Sequence, residues 1–198
     1  MNLPDGANDL IAVSREVSVG SLPDVRINYG ATANAAGVWP KTINIIKNRQ
    51  CMAGQSRATV TITARNAYQQ ARAMFNQLIN AANPISVNVA EQWKLYDAAG
   101  QAVIDVFQQQ IKGLTYQEII GNKLSIRAAI EQEIVNRGPT NVSNHCADPS
   151  EINAIDIGAA SFNTYTAQLF IHSIQGQIMR FLDERNHNGC LHLEVNRD

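Results

Sequence analysis

The chain is poor in charge and in cysteine, and it has no long apolar run. Lys and Arg number 16 and Asp and Glu 17 in 198 residues, a net charge of -1. A near-neutral chain argues against a broad nucleic-acid surface, which needs a basic excess. No stretch approaches the roughly 20 apolar residues of a membrane helix, so no membrane insertion is expected. Cys51, Cys146 and Cys190 are too few for a disulfide scaffold, and one pair or three thiols are both open. Met1 to Leu10 lacks a basic region followed by an apolar one, so no Sec signal peptide is read there. The hydrophobic share, 45%, is too high for a disordered chain and suits one globular domain with a sizeable core.

Residues 1–57 read as an irregular segment with a few short strands, because Gly, Pro, Asn and Ser recur, as in Leu3-Pro4-Asp5-Gly6. Ala58 to Ala64 alternates Val60 and Ile62 with threonines and predicts a half-buried strand. From Asn66 a helix is expected, with Ala67, Ala71, Met74, Phe75, Leu78 and Ile79 on one face and a stop at Asn83-Pro84. Residues 85–137 read as a helical hairpin. Its first helix, Val89 to Ile111, carries Trp93, Tyr96, Val103, Ile104 and Phe107. The second opens at Thr115 with Glu118 as a capping box, carries Ile119, Ile120, Leu124, Ile126, Ile130 and Ile134, and stops at Gly138-Pro139.

After Pro139, Asn141 to His145 and Ala154 to Ile157 read as short strands, and Tyr165 to Asp183 as a helix. Cys190 to Val195 alternates cleanly. Leu191, Leu193 and Val195 share one face, and Cys190, His192 and Glu194 the other. The expected class is α+β, a small antiparallel sheet with helices packed on it.

Four histidines are present. His172 reads as a structural helix residue and His187 as a solvated loop residue. His145 and His192 each lie on an expected strand or its edge near a carboxylate. Two His and one carboxylate form a common catalytic zinc set that leaves a fourth position open for water.

The order of segments resembles the zinc D-Ala-D-Ala metallopeptidases, the peptidoglycan carboxypeptidases and endopeptidases grouped with lysostaphin and the hedgehog domain. Ile62-Thr63-Ala64-Arg65-Asn66-Ala67-Tyr68-Gln69-Gln70 is similar to the family's Ser-Gly-Tyr-Arg-Ser-x-x-x-Gln segment and keeps its Arg-to-Gln spacing. Ser143-Asn144-His145 and Ala154-Ile155-Asp156 resemble its Ser-x-His and Ala-x-Asp halves, and Leu191-His192-Leu193-Glu194 its closing Trp-His-x-Glu. The matched pieces lie within 58–198, with residues 85–137 outside the match as a helical insertion.

The resemblance implies a zinc site of His145, Asp156 and His192 on the sheet. It implies that Arg65 binds a substrate carboxylate or a developing oxyanion, with Gln70 and Ser143 as further substrate-side residues. The implied activity is hydrolysis of stem-peptide or cross-link bonds in peptidoglycan, with the wall peptide as partner. Action there without a Sec signal would suit a phage lysin or an exported effector.

Three positions depart from the family pattern. The interval from His145 to Asp156 is longer, with Ala147 to Ile152 read as an insertion, which leaves Asp148 or Cys146 as alternative ligands. Leu191 stands where the family has an aromatic, and Gly189 where it has its acidic general base. Glu184, Asp183 and Glu194 are the carboxylates able to replace that base, and Glu184 is favoured because a Gly-containing loop would swing it over the metal. The alternative is a non-catalytic domain that keeps the fold and binds peptidoglycan or a protein. A third reading is an interaction protein whose histidines coincide by chance.

Overall fold

The computed structural model describes residues 24–196, so the expectation for residues 1–23 lies outside the described residues. The fold is α+β. Among the described residues, five strands form one mixed sheet: β1 (Arg26–Tyr29), β2 (Arg57–Ile62), β3 (Ile152–Gly158), β4 (Arg180–Glu184) and β5 (Cys190–Asn196). Their order is β1-β2-β3-β5-β4. The pair β1-β2 is parallel and the rest are antiparallel, so the expected all-antiparallel sheet is corrected.

The helices are α1 (Pro40–Met52), α2 (Ala67–Leu78), α3 (Ile85–Leu95), α4 (Ala98–Ile111), α5 (Tyr116–Gly121), α6 (Lys123–Arg137), α7 (Pro139–Val142) and α8 (Thr164–Ile174). Two apolar cores result. Ile46 of α1 and Phe170 and Ile174 of α8 pack with Val60, Ile155, Ile157, Leu191 and Leu193 on one face of the sheet. Met74, Phe75, Val103, Ile104, Phe107, Ile126, Ile130 and Ile134 form the second core, within α2, α4 and α6. There Phe75 meets Phe107 edge to face, centroids 6.1 Å apart. The other face of the sheet, lined by Asp156, His192 and Glu194, looks into a cavity walled by α2, the α3–α4 junction and α7.

Several element boundaries differ from the sequence reading. The region up to residue 57 contains β1 and the 13-residue α1, whose Pro40 sits in the first turn. There proline's missing N–H costs nothing. Residues 85–137 fold as four helices, α3 to α6, and not as a two-helix hairpin. The first break falls at Tyr96, whose backbone is extended, and the second at Asn122. That break re-phases the chain, so Leu124 is exposed while Ile126, Ile130 and Ile134 are buried.

Asn141 to His145 is no strand. Pro139 starts the short α7, and Asn144–Cys146 forms a 3-10 turn capped by the Ser143 side chain. The helix α8 ends at Ile174, ahead of Gly176, whose φ of 76° suits glycine. The stretch beyond is strand β4, in which Phe181 packs into the sheet core. Arg180, Leu182 and Glu184 point to the cavity. The capping box at Thr115 and Glu118 forms as expected, and Asn66 with Gln69 makes another.

Candidate metal centre

The site stands on three segments. Asp156 of β3 and His192 of β5 are cross-strand partners, so their side chains rise side by side on one face. The core-facing residues Ile155, Ile157, Leu191 and Leu193 fix that register, because a one-residue slip would bury the charged set in the apolar core. His145 comes from the 3-10 turn after α7. Its carbonyl accepts from the Arg65 N–H at 2.6 Å, and its N–H bonds the Ser143 hydroxyl at 3.3 Å. The chain leaving β2 and the turn carrying His145 therefore hold each other in place.

His145, Asp156 and His192 are all buried, and one ligand atom from each lies within 4.8 Å of the others. His145 Nε2 is 3.2 Å and His192 Nδ1 is 2.8 Å from Asp156 Oδ1. The other ring nitrogens are both committed. His145 Nδ1 lies 3.1 Å from the Thr63 carbonyl, and His192 Nε2 lies 2.9 Å from Glu194 Oε1. A carbonyl and a carboxylate only accept, so each outward nitrogen carries the hydrogen. In the neutral tautomers both inward nitrogens then offer lone pairs toward a carboxylate oxygen. A proton on an inward nitrogen, or a cation between the three groups, relieves that convergence. Outward nitrogens bound to a carbonyl and a carboxylate are also the usual surroundings of metal-binding histidines. The residues therefore fit a divalent metal with two nitrogen ligands and one oxygen ligand.

The electrostatics without metal follow from the same contacts. Burial alone would raise Asp156, but His145 and His192 outweigh it and hold its carboxyl well below the usual range. Burial alone would lower His192, but its hydrogen bonds to Asp156 and Glu194 push it up to about 9. Burial likewise opposes ionisation of Glu194, yet His192, Asn144 and Arg180 keep it lowered. Asn144 donates to Glu194 Oε2 at 2.8 Å, and Arg180 Nη1 approaches Oε1 at 3.4 Å.

The cavity over this set measures about 550 Å3, and Arg65, Ser143, Tyr96, Arg180, Glu184 and Cys190 also line it. Glu184 reaches it from β4. It pairs with Cys190 and so lies on the same sheet face as His192, with no loop movement needed. Its Oε2 accepts from the Asn188 amide at 2.7 Å, while Oε1 has no protein partner among the described residues. Asp183 points the other way and pairs with Arg185 at 2.7 Å. Gly189 occupies the turn between β4 and β5 with φ 69°, a conformation that favours glycine over an acidic residue.

Gln70 is wholly buried behind the cavity wall, so it acts on the site through neighbours. It accepts from Arg65 Nη1 at 2.9 Å and donates to the Tyr96 hydroxyl at 3.1 Å. Asp148 is exposed and caps Ser150, away from the cavity. Cys146 is half-buried, with burial pushing its thiol up to about 11, and it is not part of the cavity wall. Cys51, Cys146 and Cys190 are unpaired. His172 is exposed on α8, and His187 lies in the β4–β5 turn, 3.2 Å from Glu91. Tyr96 was legible only as part of an apolar stripe. The local signals of the break that turns its hydroxyl toward Gln70 are Asp97 at the α4 N-cap and Gly100 in its first turn.

No helix among the described residues is long and apolar enough to cross a membrane. Set against protein-family models, curated proteins and solved structures, the chain finds no match in any of the three.

Proposed function

We propose that the chain is a zinc-dependent peptidase of bacterial cell-wall peptides, acting on stem-peptide or cross-link bonds of the D-Ala-D-Ala type. The observation that carries the reading is the pairing of His145, Asp156 and His192 with outward ring nitrogens already bound to Thr63 and Glu194. The segment order that resembles the D-Ala-D-Ala metallopeptidases supplies the substrate class.

His145, Asp156 and His192 would hold the zinc. When bound, zinc polarises a carbonyl and brings the pKa of its water to about 7. The chain's own residues supply the rest. Glu184 offers Oε1 to take the proton of the attacking water and return it to the leaving amine, while Asn188 fixes the other oxygen. Arg65, held by Gln70, presents its planar donors to a carboxylate or an oxyanion of the bound peptide. Ser143 shapes the turn that holds His145.

A second reading, a binding domain that keeps the site without turnover, is favoured by Gly189 in the family's base position. Purified cross-linked and uncross-linked wall peptides, incubated with zinc-loaded protein and with His192→Ala, test the two. Release of products by the wild type alone supports the peptidase. Intact peptides with zinc bound assign the binding domain.

A further inference from the structure

Tyr96 stands outside the segments that resemble the metallopeptidases, yet its side chain lines the same cavity as His145, Asp156 and His192. The hydrogen-bond directions around it are fixed by elimination. Arginine only donates, so the Gln70 atom facing Arg65 at 2.9 Å is the amide oxygen. The amide nitrogen therefore faces Tyr96 and donates to its hydroxyl oxygen at 3.1 Å. A hydroxyl that accepts there still has its own hydrogen to give. Among the described residues Gln70 is the only hydrogen-bond partner of that hydroxyl. Its hydrogen has no acceptor among the described residues, and the residue carrying it lines the cavity.

The backbone is arranged around this ring. The α3–α4 break at Tyr96 is held by the Gln101 side chain, which donates to the carbonyls of Trp93 and Tyr96 at 3.2 and 3.0 Å. Gly100, in the first turn of α4, leaves the room, since a Cβ there would overlap the Tyr96 ring. One buried amide thus holds two donors, the Arg65 guanidinium and the Tyr96 hydroxyl, beside the candidate metal site. Burial also raises the phenol to about 12, so it stays a donor across the physiological range.

We propose that the Tyr96 hydroxyl donates a hydrogen bond, beside Arg65, to an anionic oxygen of the substrate peptide, either its terminal carboxylate or the oxygen that gains charge as the peptide bond is attacked. The proposal rests on the peptidase reading. Its test is the kinetics of zinc-loaded wild type and Tyr96→Phe on a peptide ending in D-Ala-D-Ala and on the same peptide capped as an amide. Loss of one such donor lowers kcat/KM by about 100-fold, with zinc content and melting temperature retained. A fall in kcat on both peptides assigns the developing oxyanion. A rise in KM confined to the free carboxylate assigns the terminus. Unchanged kinetics on both overturns the proposal.

If the wild type itself cleaves neither peptide, the peptidase reading fails, and Tyr96 is judged on inorganic phosphate binding to the zinc-treated proteins. Weaker binding by Tyr96→Phe upholds the donor; equal binding, or none in either protein, overturns it. Should Tyr96→Phe not fold, Gly100→Ala displaces the ring with its hydroxyl intact. The same loss upholds the proposal, and wild-type behaviour overturns it.

Discussion

Glu194 Oε1 lies 2.9 Å from His192 Nε2, two residues along the same strand. The contact is possible because both side chains rise on the cavity face of β5 while Leu193 between them points into the core. It holds the imidazole with Nδ1 turned to Asp156 and raises the basicity of the candidate ligand. Replacing Glu194 by Gln weakens the pull on that N–H and disturbs the Asn144 contact. Zinc affinity is expected to fall by about 10- to 100-fold, measured by competition with a metal indicator. An affinity equal to wild type would show that Glu194 has no part in tuning the ligand.

Glu184 and Asp183 are adjacent in sequence but face opposite sides of β4. Glu184→Gln is expected to lower kcat by about 10²- to 10⁴-fold, the usual worth of a positioned acid–base group. Zinc content should hold. Asp183→Asn should leave turnover near wild type, since it removes only an exposed contact with Arg185. Full activity in Glu184→Gln would move the base elsewhere.

Stability of the metal-free protein should depend on pH in a defined direction. His192 is raised from 6.5 to about 9 in the folded state. Its contribution is therefore complete below about pH 6.5 and is lost as pH rises through about 9. Asp156 is depressed below its ordinary 3.8, so its contribution is complete above that value and is lost on acidification. With chelator present, the melting temperature should drop between pH 6.5 and 9. Zinc should flatten that drop, because the metal takes the place of the proton. A rise in melting temperature over the same window, in chelator, would contradict the charge state drawn here.

Gly189 has φ 69° and nothing within 4 Å of where a Cβ would stand, so its cost on substitution is conformational and not steric. Gly189→Ala is expected to lose about 1–2 kcal/mol, a shift of a few degrees in melting temperature. Gly121, in α5 with equally open surroundings, has no positive φ, and Gly121→Ala should be neutral or stabilising. Equal melting temperatures for the two variants would remove the backbone reason for the missing acidic residue.

The parts of the fold legible in the sequence are those where period and burial agree. The alternation of Cys190 to Val195 placed His192 and Glu194 on one face, and β3 and β5 pair as that pattern requires. Asn66 and Thr115 cap helices because their side chains satisfy free N–H groups locally, without help from the rest of the chain. The misread parts depend on partners distant in sequence. Ile174, Ile178 and Phe181 fall at helical spacing, yet Phe181 belongs to a strand, because Arg180–Glu184 completes the edge of the sheet beside β5. Gly, Pro, Asn and Ser recur before residue 57, but the buried face of α1, with Thr42, Ile46 and Gln50, is long enough to cover the sheet. At the site, His145, Asp156 and His192 are legible through the short segments Ser143 to His145, Ala154 to Asp156 and Leu191 to Glu194 that resemble the metallopeptidase motifs. The anchoring of His145 by Thr63 and the amide bridge from Arg65 to Tyr96 join distant segments, and no local pattern marks them.

Metal content tests the central claim most directly. Wild type and the double variant His145→Ala/His192→Ala, purified without chelator and dialysed against zinc, are compared by elemental analysis per chain. About one zinc per wild-type chain and none in the variant is the expected result. The absence of zinc from the wild type, or equal zinc in both, would contradict a metal centre at His145, Asp156 and His192.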